Sequence, residues 1–159
     1  MSGGHQPTLL HSCARASSAS ELRFRVNYPN SRQRSALFLG LDDAAVDLIR
    51  AQENFGEQRV YRLAAQAPND LLLIDDLGAR VHLEACITAH DLVLMVSTNP
   101  TQDAAAAGIY DVARSHNIMV NWIILHQKPG RRPQVANQIF TRDADIIGET
   151  ISALRIGRQ

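Results

Sequence analysis

Five short apolar runs punctuate the chain, at Ala36–Leu41, Val60–Ala64, Leu71–Ile74, Leu92–Val96 and Ile118–Leu125. Between most of them lie stretches whose apolar residues recur at helical spacing. Runs of this length without internal alternation suit strands covered on both faces. Strands alternating with helices specify a mostly parallel sheet whose helices lie on both faces, because right-handed crossovers send them there. The expected fold class is therefore α/β. It is a three-layer, doubly wound, Rossmann-like sheet of about five to six strands.

The helical stretches carry their own signals. Asp42 is a favoured N-cap for a helix in which Ala44, Leu48, Ala51 and Phe55 share a stripe, and Gly56 suits its end. Leu83, Cys86 and Ile87 make the stripe of a helix near 79–90. Asn99-Pro100-Thr101-Gln102 has the form of a capped helix start, with Pro at the first turn, and that helix runs to about Ser115. Val135–Phe140 is a candidate sixth core strand. A last helix near 143–156 buries Ile146, Ile147, Ile151 and Leu154.

The chain has 159 residues, enough for one such domain with a real core. No apolar run approaches the roughly 18 residues of a membrane span. Sixteen basic and sixteen acidic residues cancel overall. The balance is uneven along the chain. Residues 1–34 hold five Arg against Glu21, for +4, which leaves eleven basic and fifteen acidic residues, for −4. Residues 1–20 are rich in Gly, Ser and Ala and read as a flexible basic arm without the apolar core of a secretory signal. Residues 21–159 read as the single α/β domain, with Leu22–Val26 as an edge strand whose arginines face outward. Two cysteines, Cys13 and Cys86, make no disulfide framework and fit a reducing, cytoplasmic setting.

In a parallel sheet the carboxyl ends of all strands share one rim, where ligands of this architecture bind. The rim is expected to collect Asp42 and Asp43 after the first core strand. Asp75 and Asp76 follow the third strand, Ser97 and Thr98 the fourth, and His126 and Lys128 the fifth. Clustered carboxylates repel unless they share a cation, and oxygen ligands select Mg²⁺ or Ca²⁺. Asp42, Asp43 and Asp75 are thus the candidate metal ligands. Ser97, Thr98 and Lys128 join them as candidates for holding a phosphorylated ligand.

This order of acidic pair, third-strand Asp, fourth-strand hydroxyls and Lys128-Pro129 resembles response-regulator receiver domains. The resemblance covers about residues 36–130. It implies that Asp42 and Asp43 hold Mg²⁺, Asp75 accepts a phosphoryl group, Thr98 switches and Lys128 contacts the phosphoryl oxygens. The chain departs from that pattern in the shortness of Ala65–Asp70, where the receiver has its second helix, and in the late position of Lys128. Asp91–Leu125, an Ala-rich helix between two apolar strands, resembles the middle section of tubulin/FtsZ-like GTPases and, more distantly, MinD/ParA-like ATPases. Gly40-Leu-Asp-Asp-Ala-Ala45 sits where the former have a Gly-rich phosphate loop, with acids in place of glycines.

Several chemistries lack their motif. There is no G-x-x-x-x-G-K-[ST], no G-x-G-x-x-G and no G-x-S-x-G. His82, Cys86 and His90 recur every four residues and, on a continuous helix, stack on one face as soft-metal ligands; Cys86 equally belongs to the apolar stripe. Trp122 reads as core. Aromatics are 5% of the chain and no base-reading motif appears, which argues against nucleic acid as a partner. The expected function is a degenerate Rossmann-like regulatory or protein-binding module, with a protein partner or a second copy, responding to Mg²⁺ or a phosphorylated ligand at the rim. The alternatives are a small metal-assisted phosphoryl-transfer or nucleotide-binding enzyme, and a structural subunit with no ligand.

Overall fold

The computed structural model describes residues 33–64, 71–100, 103–126 and 137–157. The chain divides into two units, Met1–Arg32 and Gln33–Gln159. Every element below belongs to the second. The expected arm at 1–20 and edge strand at 22–26 lie outside the described residues, as does Lys128.

In chain order the elements are β1 (Ala36–Gly40), α1 (Asp43–Arg50), β2 (Val60–Leu63), β3 (Leu72–Ile74), β4 (Arg80–His82), α2 (Leu83–Thr88) and β5 (Leu92–Ser97). Then come α3 (Asp103–Ser115), β6 (Met119–Ile124), β7 (Gln138–Phe140) and α4 (Asp145–Ala153). The strands form one sheet in the order β4-β3-β2-β1-β5-β6-β7. Strands β2, β1, β5, β6 and β7 pair in parallel. Strand β3 runs antiparallel to β2, and β4 antiparallel to β3. The fold is α/β with a mostly parallel sheet.

The apolar runs are central because both their faces are covered. Every residue of β1 and β5 is buried. Successive side chains leave a strand on opposite faces, and two apolar clusters follow from that alternation. Leu37, Leu39, Val93, Met95, Val120 and Trp122 pack with Leu83 and Ile87 of α2 and Ala106 and Ile109 of α3. Phe38, Leu92, Leu94 and Ile123 pack with Val46 and Ile49 of α1 and Ile147 and Ile151 of α4. Beyond α4 the chain returns to the sheet, where Ile156 bridges Arg34 just before β1.

Several boundaries differ from the expectation, each for a physical reason. The described sheet has seven strands, not five or six, because Arg80–His82 forms β4 and not the first turn of a helix. Helix α2 starts only at Leu83. The first helix ends at Arg50 and turns Ala45, Val46 and Ile49 to the sheet, leaving Ala44 and Ala51 of the expected stripe exposed and Leu48 half-buried, while Phe55 beyond it meets Phe38 edge-to-face, with ring centroids 5.0 Å apart. Gly56 takes its left-handed φ of 66° in that following turn. The third strand, expected to be parallel, is reversed. The cause is the short link from Leu63 to Leu72, below the roughly dozen residues that a parallel crossover needs. A tight turn then reverses the chain again into β4, where the Asp75 carboxylate accepts from the backbone N–H of Leu77 and of Ala79, both at 2.9 Å. Gly78 supplies the φ of 83°.

Candidate functional site

Strand β1 is the point where the order of the sheet reverses. The chain leaves it for β2 on one side and later returns to β5 on the other. In open α/β sheets the crevice at such a point receives ligands. Here Asp42 occupies it. Its Oδ1 accepts from the N–H of Ala45 at 2.8 Å, capping α1, and from the Thr98 hydroxyl at 2.6 Å. Its Oδ2 accepts from the N–H of Thr98 at 2.7 Å and of Asn99 at 3.2 Å. A carboxylate has about four lone-pair positions, so these contacts use its full capacity.

The backbone closes the same crevice. Leu41 N–H donates to Val96 at 2.9 Å, carrying the ladder beyond the end of β1. Gly40 permits the close approach of α1. A Cβ there would stand 2.4 Å from the Val46 side chain and 2.8 Å from its backbone nitrogen. Any larger residue requires the helix to move.

The remaining sequence-derived site residues scatter. Ser97 is fully buried, and its hydroxyl accepts from the Trp122 indole N–H at 3.0 Å, so it belongs to the core. Thr98 meets Asp42. Asp75 follows a strand antiparallel to β2 and commits its carboxylate to its own turn, not to Asp42. Asp43 and Asp75 do line one cavity, of about 350 Å³, beside α1 and β2.

That cavity also contains Asp47, Arg50, Arg62 and Asp76. Arg50 pairs with Asp76, and Arg62 pairs with Asp43 at 2.9 Å. Two guanidinium groups thus stand where only carboxylates were expected, and each neutralises one of them. The signal was present in the sequence. Asp43, Asp47 and Arg50 are spaced by four and three, one face of a helix, and Arg62 occupies an outward position in β2. Without the pairing of β2 with β3, nothing joined them to Asp75.

The residues do not fit a Mg²⁺ centre formed by Asp42, Asp43 and Asp75. Asp42 has its four acceptor positions filled, Asp43 is paired with Arg62, and Asp75 holds its own turn. Among the described residues no three His, Cys, Asp or Glu side chains converge as a metal-binding group. The expected His82, Cys86 and His90 stack is likewise broken. His82 ends β4, and His90 lies beyond α2, with its Nδ1 2.7 Å from the Cys86 carbonyl oxygen.

Cys86 is buried against α2's apolar neighbours. Burial raises its thiol pKa, and the negative charge of Asp75 raises it further. The raised value favours the protonated thiol in the folded state. That contribution to stability is present below the ordinary thiol value and is lost as pH rises from there through the raised value of the folded state. Native-state alkylation at pH 7–8, read peptide by peptide in a mass spectrometer, is expected to spare Cys86 until the chain is unfolded. Labelling of Cys86 as fast as a free thiol would contradict this environment.

Comparison with protein-family models, curated proteins and solved structures gave no match. Among the described residues no helix is long and apolar enough to cross a membrane.

Proposed function

We propose that the chain is a degenerate, three-layer, doubly wound Rossmann-like domain acting as a regulatory or protein-binding module. The observation that carries this reading is the Asp42 clamp. A domain that bound a nucleotide or phosphate at its switch point would need that crevice open, with N–H donors aimed at the ligand. Here the N–H groups of Thr98 and Asn99 are spent on Asp42. The missing glycine-rich loops support the same reading.

The alternative, metal-assisted phosphoryl-transfer or nucleotide-binding chemistry, has one feature in its favour. Arg50 and Arg62 line a cavity with four carboxylates, and guanidinium groups suit phosphoryl oxygens. A Mg²⁺ ion or phosphorylated ligand would enter there, displacing the two internal ion pairs.

Thermal unfolding separates the two. A ligand at a hundred times its Kd adds about 2.7 kcal/mol, a rise on the order of 5–10 °C for a domain of this size. The module reading expects no such rise with millimolar Mg²⁺, with beryllofluoride, or with GTP or ATP. A Mg²⁺-dependent rise that disappears in Asp75→Asn would replace it with the phosphoryl reading.

A further inference from the structure

A second cavity, about 860 Å³, is an open groove between α1 and α4, on the other side of α1 from the arginine-bearing cavity. Its shape has a specific cause. Beside the apolar cluster that the two helices share, amide side chains bridge them at this end. Asn54 Nδ2 donates to the Gly148 carbonyl and to Ser152 Oγ, both at 2.8 Å. Gln52 Nε2 donates to the Leu48 carbonyl at 3.0 Å and reaches the Ala144 carbonyl at 3.5 Å. Gly148 keeps this bridge in place, since a Cβ would stand 2.8 Å from Gln52 Oε1. The amides span the gap between the helices and leave the groove unfilled.

The floor is apolar or small, from Leu48, Ala51 and Gly148, and the rim carries Glu53, Asp145 and Glu149. No basic residue lines it among the described residues. Among the described residues none of these three carboxylates has an ion pair or accepts a hydrogen bond. Contrast the other cavity, where Arg50 and Arg62 neutralise two of the acids. One cavity beside α1 thus pairs two of its four acids with arginines, whereas the three acids around the groove have no described cation beside them. An uncompensated field over an apolar floor fits an occupant with the opposite charge and a small apolar face.

We infer that this groove docks a basic amphipathic segment of a partner protein. Small aliphatic side chains enter between α1 and α4, and arginines or lysines meet Glu53, Asp145 and Glu149. The inference rests on the module reading and names the surface through which the module works.

The test titrates the full ¹⁵N-labelled chain with an amphipathic peptide of Leu-Ala-Arg-Ala repeats, and separately with a counterpart carrying Glu for Arg. The expected result is binding of the Arg peptide alone, with amide shifts concentrated at Leu48, Ala51, Gly148 and Ser152. Glu53→Lys and Glu149→Lys, both exposed, are expected to weaken binding about tenfold while leaving the thermal midpoint nearly unchanged. The inference is overturned by absence of binding at millimolar peptide, by unchanged affinity in both Lys variants, or by shifts centred on Asp43 and Asp76. Any of these removes the groove without touching the module reading, which falls only to a Mg²⁺ or nucleotide response.

Discussion

Trp122→Ala is expected to cost about 3–5 kcal/mol, the range for removing a fully buried large aromatic side chain. A domain has only about 5–15 kcal/mol of net stability, so the loss is a large fraction of the total. Trp122 has no exposed surface and lies in the same apolar cluster as Leu37, Leu39, Met95 and Ile109. Its indole N–H also satisfies the buried Ser97 hydroxyl. Truncation therefore opens a cavity and strands a polar group together. The thermal midpoint, followed by circular dichroism, is expected to fall on the order of 10–15 °C. Trp122→Phe retains much of the volume but loses the hydrogen bond, so its cost lies between. A loss below about 1 kcal/mol for the Ala variant would mean that the β5–β6 core is not packed as described. Trp122 is the chain's only tryptophan, so in the parent chain its fluorescence reports the same core directly.

Asp42→Ala is expected to cost about 2–4 kcal/mol, the sum of a lost N-cap and of charge-assisted bonds to the switch-point backbone. The variant leaves the N–H groups of Ala45, Thr98 and Asn99 without their carboxylate. Asp42→Asn divides the two roles. Its carbonyl oxygen can still cap α1 and accept from the Thr98 hydroxyl. Its NH₂ must then face the N–H donors of Thr98 and Asn99, where nothing can accept it. The Asn variant is thus expected to recover the cap and not the bridge, at a cost of about 1–2 kcal/mol. Chemical denaturation of both variants measures this. Full stability in Asp42→Ala would show that the carboxylate is not a clamp and would reopen it as a ligand-binding group.

Both variants bear on function as well as on folding. Where a ligand-binding α/β sheet keeps an open crevice at its switch point, this chain spends its donors internally. Helix α1 is capped, the ends of β1 and β5 are held together, and Gly40 lets the helix sit directly on the strand. Glu53, Asp145 and Glu149 line the groove between α1 and α4, with no described basic residue among its lining.

The sequence by itself determined the central layer. Continuous apolar runs at β1, β5 and β6 can be buried only with both faces covered, and the stripes of α2 and α4 say which helical faces cover them, whereas α1 buries Ala45, Val46 and Ile49 and not the expected stripe of Ala44, Leu48 and Ala51. It also marked Asp42 as a cap, because a short acid before an amphipathic run satisfies helix N–H groups through local contacts alone. What the tertiary structure decided was partnership across the chain. The run Leu71–Ile74 is apolar in either direction, so periodicity could not show that β3 runs antiparallel. Reversal came from the link between Leu63 and Leu72, too short for a parallel crossover. The resulting pairing of β2 with β3 took Asp75 from the rim and set it in one cavity with Arg50 and Arg62. Thr98 likewise met Asp42 across 56 positions of sequence. Carboxylates of similar local sequence therefore end as a clamp, a turn or half of an ion pair, since each answers to the donors that the sheet brings within about 3 Å, the reach of a hydrogen bond.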